Sequence, residues 1–181
     1  MTHATRTGTW TIVPTPVDSP EALALHRAYY VEVSDRYYRL HEGRDSTPAE
    51  IEAGLAETTH DDLVPPVGVF LVGRYDDEPA ACAGVRLRAD GAAELTRVFV
   101  RADLRGTGGG RRLMAAADDA ARAMGAERIM LDTRLDLIEA RTLYTRTGYV
   151  EVPAHNDCRY AEIWYAKDLT TDGAPEPADP A

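Results

Sequence analysis

Residues 105–113 read Arg105-Gly106-Thr107-Gly108-Gly109-Gly110-Arg111-Arg112-Leu113, and what flanks them decides what they are. Ala93 to Val100 before them is strand-like. After them Leu113, Ala117, Ala120 and Met124 recur at spacings of four, three and four, with Arg112, Asp118, Asp119 and Arg122 on other faces and Gly125 as a stop. The stretch is a glycine-rich turn from strand to helix. Such a turn brings the backbone close to a ligand and aims successive N–H groups at it, and the helix dipole adds positive potential. A phosphate or pyrophosphate is the implied guest. Arg97, Arg101, Arg105, Arg111 and Arg112, opposed locally by Asp103 alone, concentrate positive charge at the same place. A mononucleotide P-loop would need a Lys after the glycines, and none follows; a dinucleotide fingerprint starting at Gly106 would need glycine where Arg111 stands. A plain flexible turn is the reading these residues alone leave open.

Working outward, the N-terminal side reads as a strand over Thr9 to Pro14, then a helix opened by Ser19-Pro20-Glu21, with Ser as cap and Pro at the first helical position. Leu23, His26, Tyr30, Val33, Tyr37 and Leu40 predict one apolar face for it. Thr47-Pro48-Ala49-Glu50 has the capping-box spacing and starts a second, shorter helix. Val67 to Tyr75, Ala80 to Ala89 and Ala93 to Val100 read as three strands of an antiparallel meander, parted by Asp76-Asp77-Glu78-Pro79 and Asp90-Gly91. On the C-terminal side follow a strand over Glu127 to Thr133, a helix over Leu137 to Arg146 stopped by Gly148, and strands over Tyr149 to Pro153 and Tyr160 to Lys167. The order is β-α-α-β-β-β-α-β-α-β-β. Residues 170–181, rich in Pro and acid, read as a disordered tail behind a single domain over 9–169.

Composition bounds the rest. The chain has 181 residues with a formal charge of −10, from 30 acidic and 20 basic side chains, of which Lys167 is the sole lysine. That length accommodates one domain with a real core. The acidity argues against binding nucleic acid or an anionic membrane, and no apolar run is long enough to span a bilayer or to act as a secretory signal. A cytoplasmic location is the expectation. Cys82 and Cys158 lie far apart, with no cluster at metal-ligand spacing, so neither a disulfide framework nor a metal site is expected.

The turn and its surroundings resemble the GCN5-related N-acetyltransferase (GNAT) superfamily. Arg105, Gly108 and Gly110 satisfy the family's [Q/R]xxGx[G/A] signature, with Gly109 where an aliphatic residue is usual. Glu94 to Val100 is similar to the strand that precedes that signature. Ala140-Arg141-Thr142-Leu143-Tyr144-Thr145-Arg146-Thr147-Gly148-Tyr149 resembles the family's "A..LY...G(F/Y)" segment. The resemblance implies an α/β (α+β) fold: a mixed, mostly antiparallel sheet of about seven strands flanked by about four helices. It also implies an acetyl-CoA-dependent N-acetyltransferase, acting without a metal on a primary amine of a small molecule by direct attack in a ternary complex. Acetylation of protein N-termini or lysines, or non-catalytic acyl-CoA binding by a regulator, are the alternatives. Dimers are frequent in the family, which leaves a homodimer open.

Carried over residue by residue, the resemblance assigns the donor's pyrophosphate to the backbone of Gly106, Thr107, Gly108, Gly109, Gly110 and Arg111, with Arg105 nearby and Ala140 on the following helix. Val98, Phe99 and Val100 would pair with the pantetheine arm and polarise the thioester carbonyl. An alkyl ammonium with a pKa near 10 must lose a proton before it attacks. Glu94 is the expected base, with Asp35 and Glu32 of the first helix behind it; the other readings of Glu94 are an exposed strand residue or a partner of Arg97. Tyr144 matches the family's proton donor to the departing sulfur, a role open to a phenol; the competing reading is a buried helix aromatic. Tyr30, Asp35, Arg97, His155 and Arg159 are expected around the acceptor. Of the tyrosines at 29, 30, 37 and 38, at least half are expected in the core.

Overall fold

The computed structural model describes residues 8–170. The tail expected over 170–181 therefore lies outside the described residues except for Thr170. The chain runs β1 (Trp10–Pro14), α1 (Pro20–Glu42), α2 (Pro48–Ala56), β2 (Gly68–Tyr75), β3 (Glu78–Leu87), β4 (Ala93–Val100), α3 (Gly109–Ala123), β5 (Arg128–Thr133), α4 (Ile138–Arg146), β6 (Val150–Val152) and β7 (Ile163–Asp168), with a short 3-10 turn at Ala102–Leu104. The two N-terminal helices start where their caps predict. Ser19 Oγ accepts from the Ala22 N–H at 3.3 Å, and Thr47 and Glu50 exchange side-chain and backbone bonds in a complete capping box. Asp76 and Asp77 both adopt positive φ, so the β2–β3 hairpin turns on two residues, and Glu78 and Pro79, expected in that turn, belong to β3.

Seven strands form one sheet in the order β1-β2-β3-β4-β5-β7-β6. Every neighbouring pair is antiparallel except β4 and β5, which run parallel and pair only at Ala93 with Ile129 and Glu94 with Met130. Beyond Glu94 the two strands part, leaving a wedge-shaped gap in the middle of the sheet. One core fills the face under α3 and α4, with Leu113, Met114, Ala117, Ile129 and Leu131 fully buried; the other lies under α1, around Leu25, Phe70, Val72, Cys82 and Phe99. Each Leu, Ile, Val, Met or Phe among them contributes roughly 1.5–3 kcal/mol on leaving water.

α3 is bolted to the far side of the sheet by a buried polar group. Asp118 accepts from the Tyr149 hydroxyl at 2.8 Å and from Lys167 Nζ at 2.7 Å, so the lone lysine of the chain joins β7 to α3. The apolar face expected on α1 is rotated. Ala22, Leu25 and His26 are the buried residues, whereas Leu23 and Leu40 are exposed. The reason is that the second half of α1 covers no core but lies over the gap between β4 and β5.

Candidate active site

The gap opens into a cleft of about 1050 Å³ lined by α1, β4, β5, α4 and the glycine turn. Each wall follows from local sequence. On β4, Arg97 has a φ of 55°, and Arg97 and Val98 together face Ala83 of β3, forming a bulge. The extra residue inverts the alternation of the strand. Leu95 packs in the α3 core and Phe99 in the α1 core, an odd-numbered pair that an unbroken strand would keep on one face. Past Glu94 the β5-facing backbone groups of β4 have no strand partner, so they are available to an extended ligand arm lying in the gap.

At the wide end stands the glycine turn. Gly106 and Gly108 take φ of 83° and 93° with open space where a Cβ would be, and Gly108 caps α3 in a left-handed conformation. The first N–H groups of α3 are consequently presented without an intrahelical partner, at the positive end of the helix dipole. Of the five arginines expected to add charge here, Arg97 bonds to His60 and to the Thr59 carbonyl, Arg101 pairs with Asp103, and Arg105 pairs with Glu32. Arg111 lines the cleft without a carboxylate partner among the described residues, as does Arg146 at the end of α4, which sequence reasoning missed. Gly110 lets the turn approach α4, since a Cβ there would stand 3.2 Å from Leu143.

Tyr144 projects from α4 into the cleft. It is only 5% exposed, its ring packs against Tyr149 and Tyr165, and among the described residues its hydroxyl has no hydrogen-bond partner. Burial, with the nearby Tyr29 hydroxyl and Asp132 carboxylate, pushes its pKa well above the ordinary phenol range, so it keeps its proton at neutral pH. Tyr29 is likewise pushed up to about 12, first by burial.

Across the sheet from Tyr144, α1 contributes His26, Tyr29, Tyr30, Arg36 and Tyr37. The tyrosines at 29, 30, 37 and 38 are all half-buried and line the cleft, and Tyr29 alone of the four also packs against the core under α1, fewer than the half expected there. Arg36 reaches Glu139 of α4 through two bonds of 2.9 and 2.8 Å, and Tyr37 meets the ring of Tyr160 edge-on, so α1 arches over the opening. Glu94 is on this side, 14% exposed, and accepts from Arg86 Nε at 2.9 Å; Arg86 also pairs with Asp62. The partner of Glu94 is thus Arg86, not Arg97.

Thirteen of the expected site residues line this cleft: Glu94, Arg97, Val98, Phe99, Val100, Arg105, Gly106, Gly108, Gly110, Arg111, Ala140, Tyr144 and Tyr30. Five do not. Thr107 and Gly109 face Trp10, whose indole donates to Thr107 Oγ1 at 2.9 Å. Asp35 is spent on the loop after α1, accepting from the backbone and side chain of Ser46. His155 bonds to the Leu131 carbonyl at 3.3 Å, and Arg159 stacks over Tyr160, both outside the lining. Asp132 and Thr133 of β5 line it unforeseen; LeuAspThr reads as ordinary strand sequence, and nothing local marks it. Among the described residues no cluster of His, Cys, Asp or Glu could hold a metal ion, and no helix is long and apolar enough to cross a membrane.

This geometry has relatives. The model of the acetyltransferase (GNAT) family matches residues 25–149. An "IAA acetyltransferase" of Azospirillum brasilense is 31% identical over 122 residues, covering 67% of this chain and 74% of that protein. Among solved structures, one from Klebsiella pneumoniae assigned as an acyl-CoA N-acyltransferase superposes with a TM-score of 0.67 at 23% identity, covering 89% of this chain and 98% of that one. Another, from Bacillus anthracis, assigned as a streptothricin acetyltransferase and solved with acetyl coenzyme A, gives 0.54 at 18% identity over 62% and 69% of the two chains. The family match across more than half of the chain, with the 31% identical relative covering two thirds of it, places this protein in the GNAT family of acetyl-CoA-dependent acetyltransferases.

Proposed function

We propose that this enzyme moves the acetyl group of acetyl-CoA to a primary amine of a small molecule, by direct attack while both substrates occupy the cleft. The observation that carries the reading is Tyr144, a phenol with its proton held and its hydroxyl unpartnered, at the gap between β4 and β5. The N–H groups at the start of α3, with Arg111, Arg146 and Arg105 nearby, suit a pyrophosphate. The β5-facing backbone groups of the Val98-Phe99-Val100 stretch, of which the Val100 carbonyl already accepts from Arg105 Nε, suit the pantetheine amides, and an N–H there suits the oxygen charge that builds up on the thioester carbonyl. Ala140 borders the same channel.

The amine enters from the side of α1, where Tyr30, Tyr37 and Arg97 line the wall. As nitrogen attacks the carbonyl carbon, positive charge appears on it and a proton must leave. Glu94, the carboxylate expected for that proton, lines this side but gives an oxygen to Arg86; Asp132 lines it as well. As the C–S bond breaks, Tyr144 gives its proton to sulfur and takes one back from water, while nitrogen sheds its one proton to the carboxylate; neutral amine and thioester thus give amide and thiol, and the proton released overall is the one the ammonium lost before attack.

A small acceptor is favoured over a protein because α1 arches across the opening through Arg36–Glu139 and Tyr37–Tyr160. The test is thiol release from acetyl-CoA with amino acids, polyamines, aminoglycosides and peptides in parallel. Turnover with small amines supports the reading; turnover with peptides alone, or tight acetyl-CoA binding without turnover, overturns it.

A further inference from the structure

Of the carboxylates that line the cleft, Glu32, Glu50 and Glu139 stand on helices and are paired with Arg105, Arg44 and Arg36; Glu94 and Asp132 stand on the sheet beside the gap, and strand geometry separates them. The last β4–β5 pair joins Glu94 to Met130, so Glu94 stands at the closed end of the gap. Asp132 lies two residues further along β5, about 6–7 Å into the opening by the rise of a strand. Its neighbours Ile129 and Leu131 belong to the core under α3, so alternation turns Met130 and Asp132 toward α1, where the amine enters. Tyr144 comes into the same opening from the other side, and its hydroxyl feels the Asp132 carboxylate.

Glu94 and Asp132 also differ in what holds them. Arg86 takes one oxygen of Glu94 in an ion pair. Asp132 is held by neutral donors. Asn156 Nδ2 donates to Asp132 Oδ2 at 2.7 Å, and the Asn156 amide is fixed in turn by Trp164 Nε1, which donates to its Oδ1 at 2.9 Å, and by the Cys158 N–H at 3.3 Å. Asp132 Oδ1 takes no hydrogen bond from any described residue and belongs to a side chain that lines the cleft. The nearest cation in sequence, Arg134, is occupied with Asp136 and the Val33 carbonyl. One oxygen is thereby anchored and the other left for a ligand.

Building on the acetyl transfer proposed above, we propose that Asp132, rather than Glu94, is the carboxylate that receives the proton shed by the attacking nitrogen, with Asn156 and Trp164 as positioning residues. The interaction grows as the reaction proceeds. A neutral amine offers the carboxylate little, whereas the nitrogen that has bonded to the carbonyl carbon carries a full positive charge next to Oδ1. The N–H bond then breaks toward Asp132 while Tyr144 protonates the sulfur released by C–S cleavage; Asp132 passes its proton to water, and the Tyr144 phenolate takes one back from water, so the enzyme returns to its starting state.

The experiment measures thiol release at saturating acetyl-CoA with putrescine, tyramine and an amino-acid panel, beside the acetyl-CoA Kd by calorimetry. Asp132→Asn is expected to lower kcat by about 100-fold, the scale of general-base catalysis, with the acetyl-CoA Kd retained. Asp132→Glu is expected to recover part of the loss, and Glu94→Gln to lose less than Asp132→Asn. Asn156→Ala should lower kcat while the acetyl-CoA Kd holds, as displacement of a carboxylate requires and general loss of structure does not. A wild-type rate in Asp132→Asn, a larger loss in Glu94→Gln, or loss of acetyl-CoA binding in Asp132→Asn would overturn the assignment while leaving acetyl transfer standing. A wild-type enzyme that acetylates no amine overturns the transfer reading and this inference with it.

Discussion

Arg105 of the glycine turn reaches across the cleft mouth to Glu32 of α1, its Nη2 donating to the two carboxylate oxygens at 2.7 and 2.6 Å, while its Nε donates to the Val100 carbonyl. Glu32 lies within 3.7 Å of Arg36, which holds Glu139, so a chain of charges ties the turn to α1 and α1 to α4. Glu139 is lowered to about 2 by the Arg36 guanidinium that it binds.

A polyanionic donor entering beside the turn competes with Glu32 for Arg105. Glu32→Gln is therefore expected to tighten acetyl-CoA binding by about two- to fivefold, the worth of a partly exposed ion pair, with the gain shrinking at high salt. Calorimetry at two salt concentrations checks it. Binding that weakens would show that Glu32 holds the mouth in shape rather than restraining Arg105.

Acid should loosen the fold before it protonates most carboxylates. His26 is 4% exposed, and burial, with the charge of Arg97 and then His60, lowers its pKa to about 4. Between about 4 and the ordinary 6.5 the unfolded chain binds a proton at this position that the folded chain does not. Stability is thus full above pH 6.5 and is lost as pH falls toward 4, by at most about 3 kcal/mol from this residue. Urea unfolding at pH 7 and pH 4.5 measures the loss, and His26→Gln should shrink it. Equal losses in both proteins would contradict the assignment.

Gly109 is the first residue of α3 and has no positive φ, so helix propensity alone would not penalise alanine there. Here a Cβ would stand 2.4 Å from the Trp10 ring. Gly109→Ala is expected to destabilise, and Trp10→Leu to reduce that penalty in the double variant. Additive effects in a thermal-melt cycle would exclude the contact as the cause.

The buried Asp118 should be among the costliest positions to disturb outside the apolar core. Lys167→Met leaves it with the Tyr149 hydroxyl as its remaining described partner, and about 3–5 kcal/mol should be lost. Tyr149→Phe removes a neutral partner and should cost about 1–3 kcal/mol. Denaturant midpoints rank the two, and a reversed order would contradict the charge argument.

How much of this was legible in the chain can be argued from the same residues. The sheet, the helices and the donor end were readable because the signals are local. Ser19 and Thr47 cap where they stand, and the glycines precede their own helix. Gly109 was visible as a departure, but its reason, Trp10, lies at the other end of the chain. The same holds for Arg105, whose partner Glu32 is 73 residues away, and for Glu94, whose partner Arg86 faces it only through the β3–β4 register. The acceptor end was the least legible. Asp35 looked poised on a helix and is spent on Ser46, whereas Asp132 looked like strand filler and lines the cleft. Side chains that close loops and side chains that face ligands are the same residue types, and tertiary register alone sorts them.

The most direct test of the account is the amine-dependent rate of thiol release from acetyl-CoA by wild type and Tyr144→Phe, with acetyl-CoA Kd measured on both. The account predicts that wild type turns over with small amines and that the variant loses at least about tenfold in kcat at an unchanged Kd, the pattern of an interaction made in the transition state. An equal kcat in the two proteins would contradict it.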